Sequence, residues 1–312
     1  MTLNEQSLKF DVEEVCEKAE DMVEIEVGET FFNKDTDKFL LKFGKNEILF
    51  AIRRGNAKSV EKILALGVNL NKVEDAIGKS GLRIAIERNN LPIVKLLLEH
   101  GTDPNHIDKL WKSPIHYTVD IEIIKELLKY GAEVDSKDSI GMTPLMRALA
   151  GEKFEIAKIF LDHGANINHC DNDGLTALHE ASNTGQLEKI EFLLKHGANI
   201  DAIDDEKCSP LHLAARRNNE PFWEDEQPEA VKILLKNGAN PNLKDIDLKT
   251  GLHYAVIDGN LEIVRLYFEY AANLDLCIRD LDGNTIFEDA LYSKSFHIVK
   301  MMAFHHHTIQ IP

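Results

Sequence analysis

Residues 171–201, DNDGLTALHEASNTGQLEKIEFLLKHGANID, contain the pattern from which most of the chain is built. Thr176 is placed to cap a first short helix, because its hydroxyl can accept a hydrogen bond from a free N–H of the first turn. Gly185 interrupts that helix, and Gly197 lies where a left-handed residue commonly ends a second one. The second helix is predicted by apolar residues at helical spacing, Leu187, Ile190, Leu193 and Leu194. One such unit cannot bury its own apolar face, so it needs copies on either side.

Copies of this unit recur about eight times along the chain. The interval from Asn168 to Asp201 is 33 residues, and the interval from Asn242 to Asp275 is again 33. The heads of the units share Ser or Thr, proline and histidine positions, as at Thr143, Pro144, Thr176, His179, Pro210, His212, Thr250 and His253. The second helices end before glycines, as at Gly164, Gly197 and Gly238. Since each unit contacts only its neighbours, the repeat predicts one elongated domain that grows by stacking.

The period, the T-P-L-H-like heads and the G-A-x-x-N/D tails resemble the ankyrin repeat, and the resemblance covers roughly residues 45–305. It implies an all-α solenoid of paired antiparallel helices with projecting β-hairpin or loop fingers. It also implies that the motif histidines hydrogen-bond neighbouring turns. In the family, partner proteins bind at the fingertips and at exposed positions of the first, inner helix of each unit.

Departures from the pattern set the predicted boundaries. Residues 1–43 fall outside the repeat and carry 12 acidic residues against 5 lysines. They are interpreted as a helical cap on the first repeat, as an acidic arm that folds along the groove or binds a partner, or as a disordered segment. The solenoid is predicted over 44–305, with a third repeat of 30 residues and a loop insertion within 219–227 in the sixth repeat. Residues 306–312 are predicted to be a tail.

Composition limits the class of partner. A formal net charge of −17 opposes phosphate backbones and anionic lipids, so we expect neither nucleic acid nor membrane insertion. No apolar run approaches the ~20 residues of a membrane span. The four cysteines are scattered, which is typical of reduced thiols in a cytoplasmic protein, with the nucleus as the alternative. The chain is expected to act as a monomer that binds other proteins.

Motifs for catalysis or metal binding are missing from the sequence. It contains neither a G-x-S-x-G nucleophile elbow nor a glycine-rich phosphate loop. His179 and Glu180 open an H-E-x-x-H pattern, but Asn183 stands where the second histidine of a zinc site would be. We therefore expect no enzyme activity, no cofactor and no structural metal.

The resemblance places candidate partner-binding residues by register. The fingertip positions are Ile77, Leu110, Trp111, Ile140, Asp173, Lys207, Leu248 and Leu281. The inner-helix positions are Arg53, Arg54, Arg88, Asn183, Thr184, Arg216 and Arg217. Trp111 is the strongest candidate, because tryptophan is enriched among residues that dominate binding energy; local packing against the next finger is the alternative. Phe222 and Trp223, flanked by acidic residues of the insertion, form a second candidate site; the alternative is that they pack against the side of the shortened third repeat or onto their own outer helix.

The function predicted from these features is a non-catalytic scaffold that binds proteins through its fingertips and its concave inner-helix surface. Two narrower forms remain open at this point. One is an inhibitor that sequesters a signalling or transcription factor, and the other is an adaptor that recruits clients to modification or degradation machinery. An adaptor needs a recruiting box beside the repeats, and none is recognisable in residues 1–43 or 306–312.

Overall fold

The computed structural model describes residues 47–65, 70–216 and 227–309. The interpretations of residues 1–43 and of the insertion, including Phe222 and Trp223, therefore lie outside the described residues, as does Arg217. The helices are α1 (residues 47–54), α2 (Ala57–Leu64), α3 (Gly81–Glu87), α4 (Leu91–Glu99), α5 (Ile121–Lys129), α6 (Pro144–Ala150), α7 (Phe154–Asp162), α8 (Ala177–Asn183), α9 (Leu187–Lys195), α10 (Pro210–Ala215), α11 (Gln227–Lys236), α12 (Gly251–Ile257), α13 (Leu261–Tyr270), α14 (Ile286–Tyr292) and α15 (Phe296–Ile309).

The helices pair within each unit and stack between units. Inner helix α8 packs on α10, α10 on α12, and α12 on α14, while outer helix α9 packs on α11, α11 on α13, and α13 on α15. The faces between them are apolar: Leu178 and Ala181 of α8 and Ile190 and Leu193 of α9 are almost fully buried. The sequence therefore predicted the all-α solenoid correctly, and its core is continuous from unit to unit because each apolar face meets the next one.

The head motif joins one unit to the next. The backbone N–H of Thr176 donates to His179 Nδ1 over 3.1 Å, and His179 Nε2 donates to the carbonyl oxygen of Cys208 in the following unit over 3.0 Å. His212 makes the same bond to the carbonyl oxygen of Lys249 over 3.1 Å. Burial lowers the pKa of both rings, which favours their neutral form. The N–H groups of Thr176 and Ser209 donate to Nδ1, so Nε2 is the nitrogen that donates to the next unit. In the last unit the carboxylate of Glu288 takes the place of the ring and accepts the Thr285 N–H over 2.7 Å.

The shortened third repeat lacks an inner α-helix. A 3₁₀ helix, Pro114–Tyr117, stands in its place and packs between α3 and α6. The three missing residues remove the end of the inner helix, so only one tight turn remains before Asp120 caps α5 by accepting the Ile123 N–H over 3.0 Å. At the other end of the chain, α15 extends to Ile309.

One core position departs from the apolar pattern. The third residue of an outer helix is Ile156 in α7 and Ile263 in α13, and both are buried. In α9 this residue is Lys189, whose side chain is 2% exposed. Its Nζ has no hydrogen-bond partner among the described residues, and the carboxylate of Glu180 lies 3.9 Å away. Burial lowers the pKa of this ammonium group, since the charged form is poorly solvated there.

None of the described helices has the length and apolar character that are needed to cross a membrane. Within the same residues, the structure contains no group of three or more His, Cys, Asp and Glu side chains placed to hold a metal ion.

Candidate functional site

The fingers are five-residue turns that each begin with an aspartate. They comprise residues 75–79, 108–112, 138–142, 171–175, 204–208, 245–249 and 280–284. In the second of these, Asp108 Oδ1 accepts the N–H groups of Leu110 and Lys112 over 2.8 and 3.1 Å. The turn is closed by the Trp111 N–H, which donates to the Asp108 carbonyl oxygen over 3.0 Å. The aspartate therefore holds the tip from beneath and leaves the next three side chains to project.

The fourth residue of each finger is in the left-handed region. Glycine occupies this position at Gly78, Gly141, Gly174 and Gly283. Three fingers instead have a residue with a Cβ there: Trp111 at φ 57°, Lys207 at φ 59° and Leu248 at φ 58°. This conformation costs an L-residue about 1–2 kcal/mol. Stability alone would favour glycine at all three positions.

Most of the fingers are joined to one another by backbone hydrogen bonds. The second residue of a finger donates its N–H to the third residue of the preceding finger. These bonds are Asn172 to Ile140 (3.1 Å), Asp205 to Asp173 (3.3 Å), Ile246 to Glu206 (3.0 Å) and Leu281 to Asp247 (2.8 Å). Gly141 permits the first of them, because a Cβ there would lie 2.6 Å from the Asn172 nitrogen. The result is a continuous row of tips from residue 138 to residue 284.

The fingers of the first units carry exposed apolar side chains. Ile77 is 68% exposed, Leu110 54%, Trp111 67% and Ile140 54%. We call these four residues the apolar section. Trp111 thus projects from its tip, which is not the exposure expected of a side chain packed against the next finger. Large exposed apolar side chains therefore stand on three consecutive tips.

The fingers of the later units carry exposed carboxylates, and we call these the acidic section: Asp173, Asp205, Glu206, Asp247 and Asp282. None of the five forms a salt bridge with another described residue. Exposed apolar residues lie among them at Ile246, Leu248 and Leu281, with Leu248 the least exposed at 40%. The exposed side chains of the row are therefore apolar in the first fingers and a mixture of acidic and apolar in the later ones.

The inner-helix arginines are mostly engaged inside the protein. Arg53 pairs with the first finger aspartate, Asp75, over 2.8 Å. The Arg54 guanidinium lies 4.9 Å above the Phe50 ring. Arg216 lies over a tyrosine ring on α12 in the same way, whereas Arg88 is exposed at the end of α3. The Thr184 hydroxyl donates back to its own helix over 2.8 Å. Three of the four arginines among these positions that the structure describes are therefore engaged by neighbouring side chains of the protein itself.

A stronger cluster lies under the tryptophan finger. Arg83 contacts the Asp108 carboxylate over 2.5 Å and lies 4.1 Å above the Tyr117 ring, and the Tyr117 hydroxyl donates to the same carboxylate. Partial burial acts to raise the pKa of Asp108, but the hydrogen bonds from Tyr117, Lys112 and Leu110 hold it below its ordinary value. The tip is therefore supported by an ionised, fully bonded aspartate.

The sequence interpretation missed several residues of the row. Ile107 and Ile203, each just before a finger aspartate, are 53% and 56% exposed, and Ile246 is 53% exposed. Asp205 and Glu206 of the acidic section were missed as well. The signal that identifies them is the finger aspartate itself: counting from it assigns each residue its place in the turn.

Comparison with known proteins gives one family. A family model described as "Ankyrin repeats (3 copies)" matches residues 17–108, 115–204, 155–245 and 222–311. The chain is 31% identical over 116 residues to the putative ankyrin repeat protein FPV031 of fowlpox virus (strain NVSL), which is 35% of this chain and 34% of that protein. It is 32% identical over 110 residues to human ankyrin repeat and SOCS box protein 6, which is 34% of this chain and 26% of that protein. The matched stretch is thus about a third or less of each relative.

The structure also resembles the crystal structure of the ankyrin repeat domain of Bcl-3, which is described as a unique member of the IkappaB protein family. The TM-score is 0.59 at 24% identity, and the match covers 66% of this chain and 92% of that domain. At this identity the likeness establishes a shared fold.

Proposed function

Because this chain belongs to the ankyrin repeat family, whose repeats are generally protein-interaction modules, we propose that it is a non-catalytic scaffold that binds other proteins through its finger row. The observation that carries the proposal is Trp111. Its side chain is two-thirds exposed at a tip and is held in a backbone conformation that glycine would adopt without strain. Strained positions of this kind cluster at functional sites.

The cost of Trp111 supports a role in binding. The left-handed backbone costs about 1–2 kcal/mol, and an exposed aromatic ring recovers little of this by burial in the free protein. A tryptophan buried in an interface commonly contributes 2 kcal/mol or more when it is truncated. Trp111 thus lowers the stability of the free protein and can strengthen a complex, as expected of a residue that anchors a partner.

The row is also preorganised. The backbone bonds between consecutive tips from Ile140 to Leu281 fix their relative positions before a partner arrives. Binding then requires little ordering of this protein, which leaves more of the contact energy as affinity.

Both narrower functions use this surface. An inhibitor would sequester a signalling or transcription factor on the finger row, whereas an adaptor would hold a client there for a second machinery. The adaptor form is prompted by the similarity to a protein whose name includes a SOCS box, but the match covers only 26% of that protein.

The experiment that tests the proposal places a photo-cross-linking amino acid at Leu110 on a tip or, as a control, at the exposed Lys158 on outer helix α7. Both variants are irradiated in extracts of cells that express the protein. We expect cross-linked partner proteins from position 110 and none from position 158, with the products at 110 lost when Trp111→Gly is added. Equal products at both positions, or products at 158 alone, would refute a tip-centred binding surface.

A further inference from the structure

We infer that the finger row binds an extended segment of a partner protein, about 18 residues long, that is apolar at one end and rich in Lys and Arg over the rest. The apolar end lies on Ile77, Leu110, Trp111 and Ile140, and the basic part lies along the acidic section. This inference rests on the proposed function and specifies the chemistry of the partner.

The length follows from the spacing of the units. Stacked helices lie about 10 Å apart, so the six steps from the first finger to the last span roughly 60 Å. An extended chain covers about 3.3 Å per residue, which gives roughly three partner residues per finger. The apolar section spans the first two steps and so takes about six of them.

Unpaired backbone groups favour an extended segment over a helix. From the third finger onward, each finger is joined to the next by a backbone hydrogen bond between their tips. Within the described residues, no such bond joins the first finger to the second or the second to the third. The N–H groups of Lys109 and Ser139 and the carbonyl oxygens of Ile77 and Leu110 therefore receive no backbone partner there. An extended peptide can pair with such groups, whereas a helix has already satisfied its own. These backbone groups lie in the same three fingers as the apolar section. The same part of the row could therefore bind both the backbone and the apolar side chains of the segment.

The carboxylates of the acidic section determine the composition of the other end of the segment. Beyond Ile140 the exposed charges on the tips are the five carboxylates of the acidic section and the cation Lys207. Two further exposed cations, Lys244 and Arg279, lie just before finger aspartates, and Arg279 pairs with Glu288 over 3.1 Å, so carboxylates remain in excess. An acidic or neutral segment would leave these carboxylates unmatched or repelled, while Lys and Arg residues placed one per finger would meet them. Ile246, Leu248 and Leu281 lie between the carboxylates and suit the aliphatic stems of long basic side chains.

The test is selection of a random 20-residue displayed peptide library on the intact protein. Selected peptides are then synthesised, and their affinities are measured by fluorescence anisotropy for the wild type and three variants. Trp111→Gly removes the apolar anchor, and Asp205→Lys with Glu206→Lys reverses charge on the tips. The matched control, Glu188→Lys with Glu191→Lys, makes the same change in net charge on exposed positions of outer helix α9.

We expect enriched peptides with an apolar end and an excess of Lys and Arg. The tip charge reversal should weaken them about tenfold at low salt and less at high salt, and the α9 control should change affinity less than twofold. Three results would overturn this inference and leave the proposed function standing. The selected peptides could be acidic or neutral, or they could bind as helices. They could also lose affinity with Trp111→Gly but not with the tip charge reversal. Peptides indifferent to both changes contradict both proposals, and failure to enrich any peptide overturns the inference.

Discussion

Trp111 can be replaced by glycine in one variant and by alanine in another. The comparison separates the free-energy cost of its left-handed backbone from the contribution of its side chain. Both substitutions remove the same aromatic surface. Alanine keeps a Cβ at a φ of 57°, whereas glycine adopts that conformation without strain. We expect the glycine variant to be the more stable of the two, and both variants to lose partner capture equally.

The magnitudes follow from the structure. A third of the Trp111 side chain is covered, which for a tryptophan corresponds to about 50–80 Å² and at most about 1–2 kcal/mol, lost in both variants. Alanine retains the left-handed cost of about 1–2 kcal/mol. Glycine avoids it but loses about 0.5–1 kcal/mol through the greater freedom of the unfolded chain. The glycine variant should therefore exceed the alanine variant by about 0.5–1 kcal/mol.

The assay is urea unfolding followed by circular dichroism, since the substitution removes one of only two tryptophans and changes the fluorescence signal. The neighbouring tip residue, Leu110, does not have a positive φ and supplies the control. At that position the Leu110→Gly variant should be less stable than the Leu110→Ala variant by about 0.5–1 kcal/mol. The sign of the Gly-minus-Ala difference should thus reverse between adjacent residues of one finger.

The reasoning is refuted if Trp111→Gly is less stable than Trp111→Ala by the same margin as at Leu110. The tip would then have no strain to explain, and the main argument for Trp111 as an anchor would be lost.

Three further predictions concern stability. Lys189→Met should stabilise the protein by about 1 kcal/mol or more in urea unfolding, because it removes a buried ammonium group that has no hydrogen-bond partner among the described residues. Burial raises the pKa of Asp289 from 3.8 to about 6, so its destabilising effect is absent well below pH 3.8 and complete well above pH 6. Asp289→Asn should therefore stabilise at pH 7 by at most about 3 kcal/mol, and the gain should shrink as the pH falls and vanish well below pH 3.8. Gly283→Ala should cost about 0.5–1 kcal/mol, and Gly141→Ala more, because only the latter brings a Cβ against the next finger.

Each of these predictions has a result that contradicts it. A destabilised Lys189→Met would show that the ammonium group is satisfied in solution. A gain from Asp289→Asn that is independent of pH would show that the carboxyl group is not the cause. Equal costs at Gly141 and Gly283 would show that adjacent fingers do not approach as closely as the bond from Asn172 to Ile140 requires.

Periodicity was enough to predict the stacked helix pairs, since apolar residues at helical spacing must face a neighbour in every unit. It also located the three missing residues of the third repeat, but it left open a tight turn or a shortened inner helix, and only the structure shows that a 3₁₀ helix, Pro114–Tyr117, replaces the inner α-helix. It could not reveal Lys189, because a lysine in an amphipathic helix is ordinarily exposed, and only the packing of α9 shows that this one is buried.

The candidate site was predictable in part. Counting by register placed Trp111, Leu110 and Ile140 on tips, and the structure has them exposed there. The same counting treated the arginines as free, although the Arg53–Asp75 pair depends on the approach of two units and leaves no local signal. The change from apolar to acidic tips is visible only once each residue is numbered from its finger aspartate.

The most direct test of the finger row as the binding surface is amide hydrogen exchange of the intact protein, alone and with a captured partner. We predict that the partner slows exchange in fingers 75–79, 108–112 and 138–142 and leaves outer helices α7 and α9 unchanged. The slowed groups should include the N–H groups of Lys109 and Ser139, which have no backbone partner in the part of the chain that the structure describes. Protection confined to the outer helices, with the fingers exchanging as in the free protein, would contradict the account.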